Sequence, residues 1–327
     1  KWGMSTSVHP GADHKIFWGT IRPIDDPFWN VHRPGDRWNC KCPLTSTDEE
    51  PTPVPEYAPE NKPEPGLDNN PGKDAKLFGD THPYIQEAHP GAKKAVDKLM
   101  KRIEGMIAEM PGNLTYETKM AIARHNIELE KALKITKGKP MNVEEADKQH
   151  ANPNHGKERG YAINCQTCAP AYMLRCQGFD VTAKSNTRGS KLEYLSRGMN
   201  VWEAWRNIDG TPAKHTTIND WLAAKGYKQM TQKRYLQFFD ETCKEEGIYE
   251  LSIGWKGGGH ATILQRFANG ELRYIEPQLD NSKGSGRESH NLDYLGKYGA
   301  ANVHNCRGIM RIDDKLFNID YIEIFDK

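Results

Sequence analysis

The chain has 327 residues, with 45 lysines and arginines against 44 aspartates and glutamates and a formal net charge of +1. So even a balance provides no single-signed surface of the kind that nucleic acids or anionic membranes attract, and neither is expected as a partner. No apolar run approaches the roughly 20 residues that a helix needs to cross a bilayer, and seven irregularly spaced cysteines argue against a disulfide framework and for a reducing compartment. The length allows two domains, or one domain with appendages, and the opening at Lys1 rather than Met is what a partial or processed product would show.

Residues 1–43 are rich in aromatics and end in Trp38-Asn39-Cys40-Lys41-Cys42-Pro43. Seven prolines then lie between Pro51 and Pro71, interleaved with Glu, Lys and Asn, which predicts an extended linker over residues 44–90. Helical periodicity starts at Ala92 through Val96, Leu99, Met100, Ile103, Met106, Ile107 and Met110, until Pro111-Gly112 breaks it. A second helix, from about Tyr116 to Lys137, carries Ile122, Leu129 and Leu133 and stops at Gly138 and Pro140. Together they predict a helical hairpin or stalk over residues 91–150, with Asn142-Val143-Glu144-Glu145 capping a short third helix.

Beyond residue 150 the pattern is mixed. Cys165 to Gln177 reads as a helix stopped by Gly178, and Phe179 to Ala183 as a following strand. Thr217 and Thr231 each cap a helix, ending at Gly226 and Gly247. Ile248–Trp255, His260–Phe267 and Leu272–Ile275 then read as successive strands. Helices followed by clustered strands predict an α+β domain with a mostly antiparallel sheet over residues 151–327.

The chemistry-bearing pair within this domain is Cys165 and His260. A thiolate is favoured at a helix start by the unpaired amides and the dipole, and Asn164 is placed to cap that start. The same amides can donate to an oxyanion, and Asn164, Gln166 and Gln278 are the candidates to assist or to orient the pair. Cys168 and Cys176 share a stripe with Ala169, Tyr172 and Phe179 at helical spacing, which predicts core packing, and Pro170 removes an amide inside the helix. His260 follows Gly257-Gly258-Gly259 and opens a strand whose hairpin turns at Asn269-Gly270. A three-residue loop, Ala268-Asn269-Gly270, would pair Phe267 with Glu271 and bring Glu276 and Gln278 to the histidine's face; a two-residue turn would turn Glu276 to the other face.

Three blocks carry a resemblance. Asn164-Cys165 with Tyr172, Arg175, Gly178, Asp180, Val181 and Ala183, then Gly259-His260 with Asn269-Gly270, then Ile275-Glu276-Pro277-Gln278 are together similar to the papain-fold, protein-deamidase-like branch of the polymorphic toxins. Asn152-Pro153 fits the approach to the cysteine. The likeness covers residues 145–327 and implies a papain-like fold in which a cysteine-bearing helix packs on a histidine-bearing sheet. Cys165 would be the nucleophile, His260 the general base and acid, and position 276 the orienting acid. The family's usual Asp before Pro-Gln is Glu276 here, so Gln278 and Asp280 stand as alternatives for the third member.

The first segment resembles the carboxy-terminal end of the Mu-F-like phage head morphogenesis family through His14, Gly19, Asp25-Asp26-Pro27-Phe28-Trp29 and Trp38-Asn39-Cys40-Lys41-Cys42. That likeness implies phage head or portal proteins as partners and a place in the virion. The toxin likeness implies delivery to the bacterial cytoplasm and a host protein as substrate.

The reading is therefore a phage-encoded cysteine hydrolase acting on amides, with glutamine deamidation preferred to proteolysis, and no cofactor. The alternative from another class is a structural minor head protein without turnover. Cys40 and Cys42, with His14 or His32, could hold zinc, but a Cys-x-Cys pair alone predicts local packing and no metal.

Overall fold

The structure is a computed structural model that describes residues 1–8, 14–74, 76–255, 257–278, 292–293, 295 and 305–326. It divides into two units, Lys1–Lys101 and Arg102–Lys327.

In the first unit, Trp2, Phe17, Phe28 and Trp29 form a buried aromatic cluster, with Trp2 stacked on Phe17 at 5.2 Å between ring centroids. The proline-rich residues, expected to be a spacer, lie against this segment. Thr52 N donates to the Ile21 carbonyl at 2.9 Å, Glu64 N donates to that of Asp36 at 3.0 Å, and the Tyr57 ring meets His32 edge-on at 4.7 Å. Proline lacks a donor, but the residues between the prolines keep theirs, and these backbone bonds hold an extended chain without making it a strand.

Helix α1 (Pro90–Ala108) leads to helix α2 (Tyr116–Leu133), whose start is capped by the Thr115 hydroxyl accepting from Thr118 N. Ile103, Met106 and Ala123 pack together as the hairpin pattern predicted. The second helix is no free stalk. Leu129 and Leu133 are fully buried in the main core, and His125 Nε2 donates to the Phe317 carbonyl at 2.7 Å. The predicted capping box at Asn142 is present, with Glu145 N donating to the Asn142 side chain.

Helix α3 (Cys165–Cys176) is the central element: ten of its twelve residues are buried, so it has almost no solvent face. The expected strand from Phe179 shortens to β1 (Thr182–Ala183), and β2 (Trp205–Arg206) follows. Helices α4 (Ile218–Ala224) and α5 (Gln232–Thr242) are capped by Thr217 and Thr231. The main sheet contains β3 (Gly247–Trp255), β4 (Gly258–Arg266), β5 (Leu272–Ile275) and β6 (Asn305–Arg311). It is antiparallel in the order β5-β4-β3-β6. Strands β7 (Leu316–Phe317) and β8 (Phe325–Asp326) pair with β2 and β1.

Side-chain alternation gives this sheet two buried faces. Ile248, Ala261, Ile263, Ile275 and Met310 pack with α3, whereas Tyr249, Leu251, Ile253, Leu264 and Tyr274 pack with α4 and α5. The architecture is α+β, as the element order predicted. α3 is fastened to the sheet by the Tyr172 hydroxyl, which donates to Gln265 Oε1 at 2.6 Å, and to the preceding segment by Arg175, whose Nε and Nη2 donate to the Glu145 carbonyl at 3.1 and 3.0 Å.

One charged residue breaks the apolar pattern of β3. Glu250 is fully buried and accepts a hydrogen bond from Trp205 Nε1 at 2.7 Å, while its other oxygen has no partner among the described residues. Burial pushes its carboxyl from 4.5 up to about 8 against the opposing pull of that bond. Between those two pH values the folded chain holds a proton that the unfolded chain has lost, so stability falls as pH rises across the window. Glu250→Gln should remove this slope. Its stability relative to the parent should grow by a few kcal/mol, on the order expected for such a shift, between mildly acidic pH and about pH 8 in thermal melts. A difference independent of pH would mean that Glu250 is ionised in the fold.

Candidate active site

Helix α3 begins at Cys165. Thr167 N and Cys168 N both donate to the Asn164 carbonyl, at 2.9 and 3.2 Å. The amides of Cys165 and Gln166 are the ones that a helix start leaves without an intrahelical acceptor. The sulfur therefore sits beside backbone donors and the positive end of a twelve-residue helix.

Asn164 does not cap the helix with its side chain. Its amide is committed elsewhere: Nδ2 donates to the Lys184 carbonyl at 2.9 Å and to Asn152 Oδ1 at 3.2 Å. Its Oδ1 accepts from Asn152 Nδ2 and from Gln278 Nε2, both at 3.3 Å, and from the Cys168 thiol at 3.4 Å. Asn152 further donates to the Tyr161 and Gln278 carbonyls, each at 3.0 Å. Two reciprocally bonded amides thus lock the residue before Cys165 to the chain beyond β5.

Gln166 is nearly buried, and its amide nitrogen donates to the Leu192 carbonyl at 3.0 Å. Its oxygen faces the Cys165 thiol at 3.6 Å. An acceptor beside the sulfur is poorly suited to hold an oxyanion, so the backbone amides are the better donors.

His260 lies opposite Ile253 at the start of β4. The hairpin is the three-residue form: Phe267 N donates to the Glu271 carbonyl and Gly270 N to the Phe267 carbonyl, each at 2.9 Å, with Gly270 at φ +83°. The ladder pairs Ile263 with Ile275 and Leu264 with Tyr274, and continuing it places Glu276 opposite Thr262. His260 Nε2 donates to Glu276 Oε2 at 2.7 Å, and both side chains are buried.

The carboxylate is held by two further donors: the Tyr274 hydroxyl on Oε2 and Gln278 N on Oε1 at 3.1 Å. Burial opposes the charge on Glu276, but His260 and these donors outweigh it and hold the carboxyl below its usual range. Burial likewise opposes a charged His260, yet the Glu276 carboxylate and a hydrogen bond with the Cys165 side chain raise the imidazole well above its ordinary value. With Nε2 turned to Glu276, Nδ1 is the ring nitrogen left for sulfur.

The three residues that the sequence singled out are thus brought together, with Glu276 in contact with the imidazole. Gln278 serves instead through its backbone N–H and its link to Asn164. Asp280 lies outside the described residues. Cys168 is fully buried, and burial raises its thiol; Cys176 is pushed up to about 12 for the same reason, which fits the packing role expected of both.

Cys165, Gln166, His260 and Gln278 line an open cleft of about 650 Å³, with Ile163 and Trp255 among the apolar walls. Two supporting residues had gone without a role in the sequence. Tyr274 stands two positions before Glu276 and so shares its face of β5, a parity that was readable. Asn152, which the sequence marked only as fitting the approach to the cysteine, joins three separate segments through contacts that no local pattern foretells. No protein-family model, no curated protein and no solved structure matches the chain. Among the described residues, the group with metal-ligating geometry lies elsewhere, in the first unit.

Glu276→Gln keeps the shape of the side chain but withdraws the charge that favours a protonated imidazole. Alkylation of Cys165 by iodoacetamide at neutral pH should slow by about tenfold or more, since loss of a charged partner of this kind is worth one to several kcal/mol. Peptide mapping of the alkylated cysteines over time checks this, and an unchanged rate at Cys165 would separate the carboxylate from thiol activation.

Proposed function

We propose that the Arg102–Lys327 unit is a papain-like cysteine hydrolase of amides. The observation that carries this reading is the contact chain from Cys165 at a helix start, through His260, to the buried Glu276. A merely structural cysteine would not need an imidazole oriented by a carboxylate, nor a cleft opening onto both.

The reaction follows from the placement of the groups. With the thiol proton already carried by His260, the Cys165 sulfur attacks the carbonyl carbon of the amide. The oxygen gains the negative charge and is met by the backbone amides at the start of α3. Collapse breaks the carbon–nitrogen bond as His260 returns the proton to the departing amine, leaving a thioester. Water, deprotonated by His260, then attacks the thioester; the carboxylate product leaves and the thiol is restored. Glu276 keeps the imidazole in position and compensates its charge at each stage.

Which amide enters decides the product. A glutamine side chain gives deamidation with release of ammonia, and a peptide bond gives proteolysis. The resemblance of the cysteine and histidine blocks to deamidase-like toxins favours glutamine in a protein of the host bacterium. The resemblance of the first segment favours carriage in a phage virion.

Incubation of the full chain with a bacterial lysate, followed by ammonia assay and mass spectrometry, tests this. Glutamine-to-glutamate conversion without new peptide termini is the expected result; new termini would make the enzyme a protease. Cys165→Ala should abolish either product, and His260→Ala should lower it by at least about 10²-fold. Modification that persists in Cys165→Ala would overturn the mechanism. Absence of any product, with Cys165 alkylating no faster than a free thiol, would leave a non-catalytic virion protein.

A further inference from the structure

The second constellation of chemical groups belongs to the first unit. His14, Cys40 and Cys42 bring their ligand atoms within 4.8 Å of one another. Cys42 Sγ is 3.7 Å from His14 Nε2. Around a tetrahedral zinc, with Zn–S of about 2.3 Å and Zn–N of about 2.0 Å, neighbouring ligand atoms stand roughly 3.5–3.8 Å apart. The His14–Cys42 separation therefore already matches a coordination sphere, and the remaining ones lie within about an ångström of it. A Cys-x-Cys pair alone predicted packing; the approach of His14 from a distant part of the chain changes that reading.

The surroundings favour a cation as well. His14 Nδ1 faces Asp36 Oδ1 at 3.6 Å, and His32 Nδ1 faces the other oxygen at 3.7 Å. Asp36 is fully buried, and among the described residues neither of its oxygens has a hydrogen-bond partner. Metal on Nε2 requires the remaining ring proton to be on Nδ1, directed at that carboxylate, which is how ligating histidines are commonly oriented. The sulfurs are served by donors: Cys42 N donates to Cys40 Sγ at 3.5 Å, and the Trp18 indole to Cys42 Sγ at 3.3 Å. Donors aimed at sulfur suit a thiolate acceptor. Asn39, just before the pair, takes a left-handed conformation at φ +59°, which asparagine tolerates better than most residues.

We propose that His14, Cys40 and Cys42 bind a zinc ion, with solvent completing the tetrahedron and Asp36 orienting His14. Held by His14 and the Cys40–Cys42 pair, the ion would tie together two separate parts of this unit. The apolar core of this unit is the small aromatic cluster around Trp2, against which Cys42 itself packs, and cores of that size commonly depend on a metal for stability.

Full-length chain purified from zinc-supplemented medium and desalted should carry about one equivalent of zinc. Cys40→Ser with Cys42→Ser should reduce the content to below about a tenth of that. Asp36→Asn, changing only the orienting group, should still bind but with about 10- to 100-fold weaker affinity in a chelator competition. Cys165→Ser should keep the full content, which separates this site from the cleft. Should the double variant fail to fold, cobalt(II) added to metal-stripped parent should give a thiolate-to-cobalt charge-transfer band. Zinc-free parent chain, zinc retained after loss of both cysteines, or no such band would each overturn the proposal.

Discussion

The buried bond between His260 and Glu276 is the constraint around which the second unit is organised. Placing a carboxylate in a site with no solvent exposure costs several kcal/mol unless other groups replace the lost hydration. Here a histidine, a tyrosine hydroxyl and a backbone amide do so. Bonds to a charged group contribute roughly 1.5–3 kcal/mol each, so three together are of the size needed to offset the loss. None of the three could be removed without leaving the charge under-compensated. Their positions in turn depend on one hairpin. A slip of a single residue between β4 and β5 would send Glu276 to the opposite face, and the left-handed Gly270 is what holds the register.

The opposite half of the site depends on amides rather than charges. Asn152 and Asn164 bond to each other and, between them, to the Tyr161, Lys184 and Gln278 backbones and the Gln278 side chain. The start of α3 is thereby fixed to the end of the β5 strand, so the sulfur and the imidazole are held by one connected network. Behind them, α3 is buried along nearly its whole length, with Tyr172 and Arg175 using their polar ends to fasten it. A helix so enclosed cannot shift without disturbing the sheet, which holds the Cys165 sulfur in a fixed place.

The first unit achieves order by other means. It has few regular elements, and its proline-rich residues follow the aromatic segment through isolated backbone bonds and ring contacts instead of a sheet. The groups that remain conspicuous there are two half-buried thiols, two buried histidines and a buried carboxylate, gathered beside the aromatic cluster. Zinc coordination would explain why the histidines and the carboxylate among them are buried.

Much of the second unit was legible in the residue order because it rests on local rules. Threonine and asparagine caps at Thr217, Thr231 and Asn142, the glycine in the β4–β5 loop and the alternation along β3 all act within a few residues. The same periodicity identified Cys165 at a helix start and set Glu276 on the histidine's side once the loop length was chosen. What only the tertiary structure decided are matters of distance between segments: Asn164 becoming a hub instead of a cap, Glu250 sealed beneath Trp205, and α2 docking into the core. It likewise brought His14 to a Cys-x-Cys pair far along the chain. Propensity and spacing act between neighbours, whereas burial and long-range hydrogen bonds exist only after the chain has closed on itself.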